Sequence, residues 1–201
     1  MNETQTNVSA TETTENFSAG EAVEMVSAET KREDRLIRYL KNLEKRQDRA
    51  ALANLRRGLG KQPKTAMEMY PYLGQFLSHE TKPRYENAVF IVAALFAYYP
   101  DAPGNVGNLG DSIRRMKDDS DSIEKRFVAL LNAEADDLPY YLRQIVGLLK
   151  SKEIAINWNL LLRHVTDWDG DKRYVQNAWA RSFWGNFSSD KKLKDKTGGK
   201  E

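Results

Sequence analysis

Residues 84–99 read RYENAVFIVAALFAYY, and from Ala88 to Ala97 no residue is polar. A helix through this run is apolar on every face at its centre, so it is stable only with other helices packed around it. The run falls well short of the roughly 20 apolar residues a membrane-crossing helix needs, which points to burial in a protein core. Pro100 closes it.

The flanking segments predict the surrounding helices. Over Glu33 to Arg57, Leu36, Leu40, Leu43, Ala51 and Leu55 recur on one broad side of a helix, with Arg38, Lys45, Arg49 and Arg56 opposite. Gly58 is placed to end that helix as a left-handed cap, and Pro63 discourages its resumption. The segment AMEMYPYLGQFL predicts a short buried helix broken at Pro71. Leu109, Ile113 and Met116 have the spacing of another, and Asp121 with Glu124 suits the start of a helix that turns Ile123, Phe127, Leu130 and Leu131 inward. Asp136, Asp137 and Pro139 mark the next start, ahead of Tyr141, Leu142, Ile145, Leu148 and Leu149. Asn157 caps a helix carrying Leu161, Leu162 and Val165, and Asp171 caps a last one in which Val175, Trp179, Phe183 and Phe187 step by fours.

No β-hairpin pattern interrupts this succession. The expected fold is all-α: a compact bundle of about eight or nine short helices over residues 31–187. The turn-rich stretch 101–120 is a possible boundary between two lobes. Residues 1–30 hold six glutamates and no Lys or Arg, so a chain of net +2 divides into a leader of −6 and a remainder of +8. That leader is too poor in apolar residues to offset its ordering entropy and is expected to be disordered, as is the basic tail 188–201. No basic-then-apolar signal segment is visible, and the chain is read as cytoplasmic, with no membrane contact.

The chemistry left open to such a chain is limited. With no cysteine, disulfides, thiolate nucleophiles and sulfur-ligated metals drop out. His79 and His164 are the only histidines and lack the helical spacing of metal ligands. Asp167-Trp168-Asp169-Gly170-Asp171 opens like a calcium loop, but Lys172-Arg173-Tyr174 follows and the closing bidentate Glu is missing. The segment Arg56-Arg57-Gly58-Leu59-Gly60-Lys61 sets three cations around two glycines, yet it has neither the spacing nor the hydroxyl of a nucleotide-binding loop. It carries charge for gripping phosphate without the apparatus for splitting it. No catalytic residue, metal or cofactor is therefore expected. Trp158, Trp168, Trp179, Phe183 and Trp184 lie mostly at helical spacing, which favours core packing over a platform for bases.

ALANLRRGLGKQP, YPYL, GNLGDSIRRM, IEKRFVALLNAEADDLPYYLRQIVGLL and INWNLLLRHVTDWDGDKRYVQNAWARSFW follow one another between residues 33 and 187. In order and spacing they resemble the small subunit of the type I-E CRISPR surveillance complex, the CasB family of Cascade. The resemblance implies an all-helical, non-catalytic protein that pairs with a second copy of itself and contacts the large and backbone subunits. It also implies basic surfaces that steady the duplex of CRISPR RNA with target DNA and the displaced DNA strand, while base pairing to the guide reads the sequence. On matching motifs it implies phosphate contacts by Arg56, Arg57, Lys61, Arg114 and Arg115, with Arg143, Arg163 and Arg181 in the later matched helices. The competing expectation is a helical scaffold whose cations meet protein partners and no nucleic acid.

Overall fold

The computed structural model describes residues 34–100, 107–116 and 121–185. The leader, the tail, Glu33, Phe187 and parts of the 101–120 stretch lie outside them. Nine α-helices are found among the described residues: α1 over 34–45, α2 Arg49–Arg56, α3 Tyr70–Leu73, α4 Pro83–Tyr98, α5 Leu109–Arg114, α6 Asp121–Leu131, α7 Leu138–Ser151, α8 Trp158–Thr166 and α9 Tyr174–Trp184. Short 3₁₀ turns precede α3, follow it and precede α9, and no described residue is in a strand. The all-α expectation holds. No helix is long and apolar enough to cross a membrane among the described residues.

At the centre lies α4, where Tyr85 and every residue from Ala88 to Ala97 is buried. Helices α2, α7 and α8 pack on it. Phe96 meets Trp158 of α8 edge-on at 5.5 Å, and Tyr70 meets Phe90 likewise at 5.0 Å. One buried cluster runs through the molecule from Leu36 to Phe183.

A second focus is Trp179 of α9, which is fully buried. Its indole lies 5.2 Å from that of Trp168 and donates to Nδ1 of His164 at 2.7 Å. Trp168 in turn donates to the Ala133 carbonyl, and Gln176 donates to the Trp168 carbonyl. Helix α5 crosses α9 so closely that a Cβ on Gly110 would lie 2.2 Å from the Trp179 carbonyl oxygen, so only glycine fits there. Asn108 caps α5 and also reaches Ser182 of α9.

Four local expectations are corrected. The helix drawn from Glu33 to Arg57 is broken at 46–48, where Gln47 takes a left-handed φ of 54° and the Asp48 side chain accepts from the Ala51 amide to start α2 afresh. Residues 44–49 are all polar, so no apolar contact holds that stretch helical. Gly58 keeps a negative φ, and Gly60 is the left-handed glycine, with φ 69°. Pro71 sits in the first turn of α3 rather than breaking it, where its missing N–H costs nothing. Asp171 opens the 3₁₀ turn, while Arg173, in a left-handed conformation, stands at the N-cap of α9.

Replacing Gly110 by Ala is expected to cost about 2 kcal/mol or more, because the obstacle is backbone. Gly74→Ala, with nothing within 4 Å of the new methyl and a helical φ of −55°, should be neutral or stabilising by up to about 1 kcal/mol. Urea midpoints compare the two directly. His164 gives a pH signature: burial pushes its imidazole down to about 4, the Arg163 charge adds to that, and Asp167 opposes it. Below pH 6.5 the unfolded chain takes up a proton that the folded one refuses, so stability falls with pH until about 4 and then levels off. From pH 7.5 to 5 this group should remove about 2 kcal/mol, a loss absent from His164→Gln when unfolding is measured at both pH values.

Candidate nucleic-acid interface

The turn after α2 is closed by its own backbone. The amide of Arg57 donates to Asn54, that of Gly58 to Leu55, that of Leu59 to Arg56 and that of Lys61 to Gly58. With those amides occupied, the turn offers no nest for an anion, and phosphate contact falls to side chains. Its position is fixed on two sides. Gly58 leaves room for Met69, whose sulfur would be 2.4 Å from an added Cβ, and Gln62 donates from its amide nitrogen to the Asp136 carbonyl just ahead of α7.

Arg143 of α7 lies directly against this turn: a Cβ on Gly60 would sit 2.7 Å from its Cδ. Lys61 and Arg143 are both exposed. The C-terminal end of α4 draws in two more cations. Its last turn holds no basic residue, and its final carbonyls need donors. Nε of Arg56 donates to the Ala97 carbonyl at 3.0 Å, and Nζ of Lys150, one turn beyond Gly147 on α7, donates to the Tyr98 carbonyl at 2.8 Å. The Lys150 ammonium also lies 4.3 Å from the centre of the Tyr98 ring. Arg56, Lys61, Arg143 and Lys150 thus gather where α2, the turn, α4 and α7 meet. Neither α2, nor residues 57–61, nor α7 contains a carboxylate.

The remaining expected residues are placed differently. Arg57 is ion-paired with Glu68 at 2.8 Å, both side chains about half exposed, so this contact is weak and exchangeable. Hydrogen bonds from its own backbone and from Arg57 hold the Glu68 carboxyl below its usual range. Arg114 and Arg115 close α5, and Arg181 lies on α9, the helix that α5 packs against. Among the described residues no hydrogen bond or ion pair ties Arg115 or Arg181 to the turn. Burial and donation to Asp167 hold the Tyr174 hydroxyl above its usual range, and the charges of Arg163, exposed on α8, and Arg84 oppose that shift.

Lys150 was not among the expected residues. Its only sequence sign is its place seven residues after Arg143, on the same helical face. The aromatics divide: Trp158, Trp168, Trp179 and Phe183 are buried in the core, whereas Trp184 is 38% exposed. His79 is exposed, and no group of His, Asp and Glu able to hold a metal exists among the described residues.

The family model of the CRISPR-associated protein Cse2 matches residues 51–184. CRISPR-associated protein Cse2 of Thermus thermophilus is 33% identical over 164 residues, covering 80% of this chain and 95% of its own. The chain belongs to the Cse2 family. Among solved Cse2-like structures, CasB from M. ruber superposes with a TM-score of 0.66 at 33% identity, over 81% of this chain and 97% of its own. A chain of a CRISPR RNA-guided surveillance complex superposes with a TM-score of 0.69 over 82% of this chain and 98% of its own; at 24% identity it shares the fold. The match of the Cse2 family model contains the 56–61 turn, α5 and α7, and so every candidate cation named above.

Gly60→Ala forces a left-handed alanine against Arg143 and is expected to cost about 1–2 kcal/mol. Gly60→Asn should cost less, since Asn tolerates that region, and thermal or urea unfolding of both variants checks the order.

Proposed function

We propose that this Cse2-family chain is a non-catalytic small subunit of a type I-E surveillance complex. In it, side chains hold phosphates of the guide–target duplex and the displaced DNA strand. The observation that carries this reading is the packing of Arg143 on the Gly60 turn, which joins cations of two helices and a turn into one surface to which α2, residues 57–61 and α7 contribute no carboxylate of their own. Family membership and the shared fold of a surveillance-complex chain support it. Arg56, Lys61, Arg143 and Lys150 form the principal contact. Arg57, Arg114, Arg115, Arg163 and Arg181 make further contacts to nucleic acid along the assembly. The large subunit, the backbone subunits, a second copy of this chain and CRISPR RNA are the other partners.

Such contacts read charge, not sequence, and each one releases counterions. The second reading, a scaffold that meets only protein, is favoured by the exposed Met67, Val128 and Trp184. Reversing Arg56 is a poor test, because its Nε serves the Ala97 carbonyl. Lys61→Glu with Arg143→Glu reverses the charge of two exposed side chains, neither of which serves a helix end. In a binding titration of the full chain, this double variant should lose about tenfold or more in affinity at low salt and show a shallower dependence on salt, by about 0.7–0.9 per lost phosphate contact. Unchanged affinity and slope would remove both residues from the contact. A parent chain that binds no nucleic acid at low salt would leave the scaffold.

A further inference from the structure

One face of α7 carries more than charge. At about 100° per residue, Lys150, Arg143, Gly147, Tyr140, Ser151 and Gln144 fall within roughly 120° of one another, and no acid interrupts them. Tyr140, 56% exposed, is one of the few large apolar side chains turned outward. Tyr141 meets its ring edge-on at 5.3 Å and 78°, which limits its freedom before anything binds. One turn further along the face from Arg143, Gly147 has no side chain. A Cβ there would meet only Tyr98, with the hydroxyl 3.6 Å away, so Tyr98 packs against the helix at this glycine. Lys150 lies over the Tyr98 ring beyond it. The face therefore runs aromatic, cation, glycine, cation, over about 15 Å from Tyr140 to Lys150.

Cations alone suit any polyanion. An exposed, pre-positioned ring beside them contributes nothing to a duplex whose bases are stacked inside, but it gives an unstacked base a surface to lie on. From this juxtaposition we infer that Tyr140 is the residue of this face that selects an unstacked strand over a duplex. Tyr140 stacks on one base and Arg143 and Lys150 hold the phosphates that follow it. This rests on the phosphate-contact reading above and adds to it the preferred strand state and the residue that sets the preference. The stacking tolerates any base, because every base has a π-face.

The test uses the full chain, labelled oligothymidine and a duplex of equal length at low salt. Circular dichroism establishes that each variant folds like the parent. Tyr140→Ala should weaken single-strand binding about fivefold or more and leave duplex binding within about twofold. Tyr140→Phe, which keeps the ring, should retain the parent's affinity, and Tyr140→Leu should behave like the alanine variant. Tyr140→Ala with unchanged single-strand binding, or with equal loss on both probes, overturns this inference and leaves the phosphate contacts standing. A parent that binds neither probe overturns both. Rescue by leucine as complete as by phenylalanine also overturns it, since bulk and not the π-face would then be at work.

Discussion

The apolar run of α4 has to be covered on every side, and that requirement organises the molecule. Covering it brings α2 and α7 against the same helix and carries its last turn into the protein, where carbonyls that would otherwise meet water need donors. The helix cannot supply them itself, having no basic residue in that turn. Arg56 arrives from α2 and Lys150 from α7, each with a donor on a carbonyl at the negative end of the helix dipole. The cations that meet there are thus placed by the needs of the core. The surface they present outward follows from that placement.

The local charge balance distinguishes this surface from an ordinary solvated face. Two neighbouring cations have partners: Arg57, in the turn itself, pairs with Glu68, and Lys64 with Glu86 at 3.0 Å. Among the described residues Arg56, Lys61, Arg143 and Lys150 are in no ion pair, and although the Glu68 carboxylate feels the charge of Lys61, a net positive potential remains over them. Lys61 rides on a turn held by backbone hydrogen bonds, and Arg143 is held by its contact with Gly60. The backbone that carries Lys61 and the stem of Arg143 are thus fixed before an anion arrives, which lowers the cost of ordering them.

Local patterns in the sequence were enough for most of the fold. The apolar centre of α4, the spacing of Val175, Trp179 and Phe183, and the Asn157 cap each depend on neighbours within a turn or two, and all are found as read. The errors came where local signals compete. A run of six polar residues between two apolar stripes reads as the outer face of one helix, but with nothing buried it yields to the Asp48 cap. Gly58 was read as the left-handed glycine, whereas it is needed for its lack of a side chain against Met69, a residue eleven positions later, and Gly60 takes the positive φ. Lys150 was not legible as a candidate, because its placement depends on Tyr98 at the end of α4, some fifty residues earlier in the chain. The pairing of Arg57 with Glu68 was hidden for a similar reason, since a turn and a 3₁₀ segment fold between them.

Lysine reactivity gives the most direct reading of whether the patch meets nucleic acid. Acetylation of the full chain, with and without saturating single-stranded DNA, can be followed residue by residue by mass spectrometry. Lys61 and Lys150 should be shielded on binding, while Lys82, at the other end of α4 and about 22 Å along its axis, should react at its former rate. Shielding of Lys82 with Lys61 and Lys150 left reactive would contradict the assignment of this face.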